Sequence, residues 1–160
     1  MDNQLNQEQL AVFLRKAKRS TYASSEASSR VTPLVTGSYQ LEFRQGALLY
    51  RDIYFGGDFF AGLETVFHQG HPYWGMSYAG GINRGMDPDQ VPGIYKFLKT
   101  ALRAIPLEAP YRGPESLIEG RLSYKNRALG TPDRFSGVES ISLDDSQIYN
   151  LHYSGGRLVG

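Results

Sequence analysis

The chain repeats itself, and the repeat constrains the fold more than any other feature. At an offset of 74 residues, Gly46, Leu48, Tyr50 and Gly56 recur as Gly120, Leu122, Tyr124 and Gly130. One inserted residue near Pro132 moves the offset to 75. Asp58, Phe60, Gly62, Glu64, Tyr78, Gly80, Gly81 and Gly85 then recur as Asp133, Phe135, Gly137, Glu139, Tyr153, Gly155, Gly156 and Gly160. The insertion falls in a turn, where length changes are tolerated. Upstream, Phe13-Leu14-Arg15 with Ala17 and Arg19 corresponds to Phe97-Leu98-Lys99 with Ala101 and Arg103. Each unit reads as a helix followed by strands.

Periodicity assigns the elements. Leu10, Phe13, Leu14 and Ala17 form one helical stripe, with Asn6 as cap and Gln9 placed to reach back, so a helix is expected over 7–19. Lys16, Lys18 and Arg19 fall in its last turns, where cations suit the helix dipole. The Ser/Thr-rich stretch 20–38 has no period, and connections this long are usually functional or disordered. From Tyr39 the period becomes two. Gln45-Gly46, Gly56-Gly57-Asp58 and Gln69-Gly70 are turn candidates, which leaves a four-stranded meander ending near Ala79. A second helix begins near Pro92, carries the stripe Ile94, Phe97, Leu98, Ala101, Leu102 and Ile105, and stops at Pro106. Short strands are expected over 116–159. Gly80-Gly81 and Gly155-Gly156 lack the Lys-Ser/Thr of a phosphate loop and read as turns.

The expected fold is α+β: a single domain over 1–160 in which a helix plus four-stranded antiparallel meander is duplicated about a pseudo-twofold. Repeat 1 covers about 7–85 and repeat 2 about 86–160. A unit of about 80 residues is marginal alone, so two copies should pair open faces or sheet edges, with a ligand cleft at the seam.

Composition narrows the function. Lys and Arg number 17 against 16 Asp and Glu, which gives no footprint for nucleic acid. There is no cysteine, so disulfides and thiolate chemistry are excluded. No apolar run reaches a membrane span, and the polar start is unlike a signal peptide, so a cytoplasmic protein is expected. His68, His71 and His152 lack a third neighbouring ligand, so no metal site is expected. Gly75-Met76-Ser77-Tyr78-Ala79 sits inside a strand, which rules out a nucleophile elbow. No cofactor signature is present.

The candidate chemistry lies on one strand face. Both copies carry Phe-x-Gly-x-Glu, with Glu64 and Glu139 beside the aliphatic Val66 and Ile141. A carboxylate on an apolar face needs a partner or a raised pKa. It is either a general acid/base or ligand anchor, or a structural group bonded to turn amides or an arginine in both copies. The asymmetric positions say more. Asp52, between Tyr50 and Tyr54, becomes Asn126 in the second copy, and Trp74 becomes Tyr149. Tyr50, Asp52, Tyr54, Glu64, Trp74 and Tyr78 are therefore expected to line an aromatic, acidic cleft suited to a cationic or aromatic small molecule; a Tyr-rich core around a hydrogen-bonded Asp is the alternative. Arg112, in the rigid Pro110-Tyr111-Arg112-Gly113-Pro114, is placed to pair with Glu64 or Asp52, or to clamp an anion.

Tyr50-x-Asp52-x-Tyr54-x-Gly56-Gly57-x-x-Phe60-x-Gly62-x-Glu64, then Trp74-x-Met76-x-Tyr78 and Tyr111-Arg112-Gly113-Pro114, resemble an uncharacterised bacterial domain family. In that family the domain often follows an XRE-type helix-turn-helix, and this chain resembles a standalone version. The resemblance implies a regulatory or sensory setting and carries over no catalytic residues. The favoured function is a small-molecule-binding or sensing module. The alternatives are a protein-interaction or inhibitory module, including a homodimer, and an enzyme using Asp52 and Glu64 as an acid–base pair.

Overall fold

The computed structural model describes residues 5–21 and 29–158. Part of the Ser/Thr-rich stretch, 22–28, and the end of the last expected strand at 159 lie outside the described residues.

Helix α1 spans Gln7–Ser20 and starts as its sequence dictates. The Asn6 side chain accepts from the Gln9 amide at 2.8 Å, and the Gln9 side chain accepts from the Asn6 amide at 3.0 Å. Its buried stripe is Leu10, Phe13, Leu14 and Ala17, joined by Lys18. Helix α2 spans Val91–Arg103, with Pro92 in its first turn and Ile94, Phe97, Leu98, Ala101 and Leu102 buried.

The strands are β1 (Tyr39–Gln45), β2 (Leu48–Gly56), β3 (Phe59–His68), β4 (His71–Ile82), β5 (Ser116–Glu119), β6 (Leu122–Thr131), β7 (Arg134–Leu143) and β8 (Ser146–Arg157). The β3–β4 hairpin turns on Gln69 and Gly70, both at positive φ (52° and 83°), which matches the twist of the flanking strands. In the second half β6, β7 and β8 have 10, 10 and 12 residues, longer than the short strands expected there.

The fold class expected from the sequence needs correction. The two meanders are not separate layers: all eight strands form one antiparallel sheet in the order β1-β2-β3-β4-β8-β7-β6-β5. Among the described residues only two α-helices stand beside it, of 14 and 13 residues, so the protein is mostly β rather than α+β. The physical reason lies in β4 and β8. Each would be the exposed edge of its own meander, and pairing them from Trp74↔Arg157 to Ile82↔Tyr149 satisfies both rows of backbone groups. The Gly80-Gly81 and Gly155-Gly156 pairs, read above as turns, lie inside these two strands. Gly80 and Gly155 allow the backbones at the seam to approach closely, while Gly81 and Gly156 lie against the backbone at the starts of β3 and β7.

Backbone details recur between the halves. Gly46 and Gly120 have φ of 57° and 60°, Gly56 and Gly130 of 95° and 96°, and Gln69 and Asp144 both of 52°. The register of β3 shifts between Val66 and Phe67, and that of β7 between Ile141 and Ser142.

Both helices and the 104–115 connection lie on one face of the sheet. The core sits between them, with Trp74, Tyr50, Tyr111, Tyr124 and Tyr149 fully buried. Trp74, Phe135 and Tyr111 stack in series at 5.5 and 3.8 Å and tie the halves together. Among the described residues no helix covers the other face of the sheet: Leu63, Leu129 and Val138 point outward and are exposed. Among the described residues, no helix is long and apolar enough to cross a membrane.

Candidate functional site

The Phe-x-Gly-x-Glu signature has a steric basis. Gly62 is the Cα partner of Tyr78, and Gly137 of Tyr153. A Cβ on Gly62 would stand 2.4 Å from the Tyr78 hydroxyl oxygen, and one on Gly137 would stand 2.1 Å from Tyr153 Cζ. Glycine therefore lets each tyrosine ring lie across one strand and reach the next. Tyr78 donates to Asp52 Oδ1 at 2.7 Å, and Tyr153 donates to Asn126 Oδ1 at 2.8 Å.

Both signature glutamates are fully buried, each beside a cation. Glu139 Oε1 accepts from the Arg112 guanidinium and from Tyr149 at 2.7 Å, and its Oε2 accepts from Tyr124 at 2.7 Å. Glu64 Oε2 lies 2.8 Å from Lys18 Nζ, which also donates to the Tyr111 carbonyl and stands 5.7 Å from the Trp74 ring centre. Where the second half has the Tyr149 hydroxyl, the first has Trp74, and the ammonium of Lys18 supplies the donor. Burial pulls the Lys18 pKa down, and Glu64 opposes that shift. Tyr78, Tyr124 and Tyr149 are held well above the usual phenol value, chiefly by burial, so they remain hydrogen-bond donors.

The segment before β5 organises both pairs. The Gly113 amide donates to the Tyr124 hydroxyl at 2.9 Å, and the Asn126 side chain donates to the Gly113 carbonyl at 2.9 Å. Pinned in this way, Tyr111 offers its carbonyl to Lys18 while Arg112 reaches Glu139 and lies 5.9 Å from the Tyr78 ring centre.

Asp52 is the cross-strand neighbour of Glu64. Burial, and then the Glu64 carboxylate, push its pKa from 3.8 up to about 8, against the opposing effects of Tyr78, Lys18 and Arg112. The shift favours the neutral carboxyl, which can accept from Tyr78 as Asn126 accepts from Tyr153 in the other half. Because the folded value lies above the unfolded one, this group's stabilising contribution is complete below pH 3.8 and is lost as pH rises through about 8. The melting temperature is therefore expected to fall across that window, and Asp52→Asn should flatten the decline and leave the variant the more stable at the alkaline end. Melting curves of both proteins against pH check this. An equally steep decline in Asp52→Asn removes Asp52 as its source.

Tyr50, Asp52, Glu64, Trp74 and Tyr78 thus meet in one cluster on the inner face, as their spacing indicates, but as buried groups. Tyr54 stands at the rim, half-buried and stacked on Tyr39 at 5.2 Å. Arg112 joins the cluster, where it pairs with Glu139 and its charge also acts on Asp52. Lys18 was not among the candidate site residues; its sequence position marked it only as a cation that suits the helix dipole. The signal was present: Lys18 continues the buried Leu10, Leu14 row at i+8.

The outward face has a groove of about 640 Å³ over β4, β8, β7 and β6, within the usual range of small-molecule sites. Register explains it. One row across the strands reads Leu129, Ser136, Ser154, Ser77, Leu63, so three small side chains lie between two leucines. The adjacent row reads Arg127, Val138, His152, Ala79.

Fold and site together define a single-sheet, mostly-β protein with charge-compensated carboxylates beneath its helices and an open groove on the opposite face. The profile of a family described as Domain of unknown function (DUF5680) matches residues 52–158, the larger part of the chain, and the protein belongs to that family. The matched span includes Asp52, Glu64, Arg112 and Glu139 and leaves out α1 with Lys18. No curated protein and no solved structure matches the chain.

Proposed function

We propose that the protein is a small-molecule-binding module in a sensing or regulatory setting, with the inner cluster as scaffold and the outward groove as ligand face. The supporting observation is the contrast in room between the two faces. The groove is open, whereas a cationic ligand at Asp52 and Glu64 would have to displace Lys18 from a position 2.8 Å from Glu64. The resemblance to domains that follow helix-turn-helix heads fits a sensor. An internal duplication fits the recurrent φ values and the reciprocal seam, in which Tyr78 pairs with Tyr153, its counterpart at the 75-residue offset. Duplication leaves scaffold in both halves and lets function settle where they differ.

A thermal-shift screen with metabolites of both charge signs tests this reading. One chemical class is expected to raise the melting temperature of the wild type and not that of Ser154→Trp, which fills the groove from an exposed position. Absence of any stabilising compound, or stabilisation that survives Ser154→Trp, would overturn it. The acid–base enzyme reading has one observation in its favour, the raised pKa of Asp52. The interaction reading has another: Ile118, on the short edge strand β5, is 75% exposed, and light scattering shows whether copies associate there.

A further inference from the structure

We propose that the outward groove takes a small organic anion, a carboxylate or phosphate carried on an apolar body. This rests on the groove being the ligand face and adds the chemistry of what it holds.

The two halves match beneath the helices but differ on the outward face, and the difference is one of charge. In the first half Arg51 is the cross-strand partner of Glu42, and the two form an ion pair at 2.8 Å. In the second half the corresponding residues are Lys125 and Ser116, again cross-strand partners, so the acid is gone and the cation stays. Ile53 becomes Arg127, a second cation. Arg134 stands outward at the start of β7. Lys125, Arg127 and Arg134 form no ion pair among the described residues. No carboxylate occupies an outward position on β3, β4, β6, β7 or β8. The carboxylates of β3 and β7, Glu64 and Glu139, are turned inward and compensated there.

Arg127 lines the groove, and His152 lies two strands away in the same row, with Val138 between them. At about 4.8 Å per strand the two backbones are about 10 Å apart, a span that a guanidinium and an imidazole N–H can close on one anionic group. A guanidinium grips carboxylate or phosphate in bidentate fashion. The Ser136 and Ser154 hydroxyls supply further donors, while Leu129 and Val138 offer apolar surface to the body of the ligand.

The test compares four probes with the same tail: octanoate, octyl phosphate, octanamide and octylammonium, titrated calorimetrically below their aggregation limits. Octanoate or octyl phosphate is expected to bind most tightly, with affinity falling as salt rises. Arg127→Gln should weaken that binding about tenfold or more, and Arg127→Lys should restore part of it. No binding by either anion, equal binding of octanamide or octylammonium, or an unchanged affinity in Arg127→Gln overturns the proposal. Ser154→Trp separates the two levels. If octanamide binds the wild type as well as octanoate does and Ser154→Trp abolishes it, the ligand face stands and the anion class falls. If an anion binds equally well to Ser154→Trp, both fall.

Discussion

Replacing Lys18 with methionine is expected to lower stability by about 3–5 kcal/mol, the usual cost of stranding one member of a buried ion pair. Lys18 and Glu64 are both fully buried, 2.8 Å apart. Without the ammonium, Glu64 loses the cation 2.8 Å from it and must either stay buried and charged or take up a proton. The Tyr111 carbonyl loses its donor at the same time, which loosens the segment that positions Arg112. Glu64→Leu should cost a similar amount, because it removes the carboxylate that faces the buried ammonium. The double replacement Lys18→Met, Glu64→Leu should recover most of the loss, since apolar side chains of similar volume often substitute for a buried pair without penalty. Urea unfolding midpoints of the two single variants and the double variant measure this. Additive losses in the double variant would show that the two groups stabilise the fold through separate contacts.

Gly155→Ala is expected to open the seam between the halves. Its Cβ would stand 2.1 Å from the Gly75 carbonyl oxygen and 2.8 Å from Met76 Cα, both backbone atoms of the partner strand. Backbone cannot rotate aside as a side-chain tip does, so β4 and β8 must separate. The expected loss is about 1–3 kcal/mol or more, with faster amide exchange at the β4–β8 pairing than elsewhere in the sheet. Gly93→Ala is the control. It lies in the first turn of α2 with open space around its Cβ position, so alanine there should be neutral or stabilising by about 0.5–1 kcal/mol. Equal stability of the two variants would remove the close seam as an account of why glycine stands at 155.

Much of the local structure was legible in the sequence. The capping box at Asn6 and Gln9, the helical stripes, the Gln69-Gly70 hairpin and the alternation of Tyr50, Asp52 and Tyr54 depend on residues a few positions apart, and all are present. The cluster of Tyr50, Asp52, Glu64, Trp74 and Tyr78 was legible too, because period two puts such residues on one face and a meander puts its strands side by side. The Gly80-Gly81 and Gly155-Gly156 pairs were misread as turns because a glycine pair in one sequence looks the same whether the chain bends or another backbone comes close.

The sequence by itself determined the period of each segment, the sites of the turns and the likeness of the two halves, since each of these is set by local sterics and side-chain spacing. Tertiary structure decided what those parts became. The meanders joined edge to edge through β4 and β8 because unpaired backbone groups need partners, wherever in the chain these come from. The burial of both glutamates left each needing a cation. Lys18 reaches Glu64 across 46 residues and Arg112 reaches Glu139 across 27, separations over which no sequence period operates. The open groove has the same origin: three serines contributed by β7, β8 and β4 become one trough only after the strands are laid side by side.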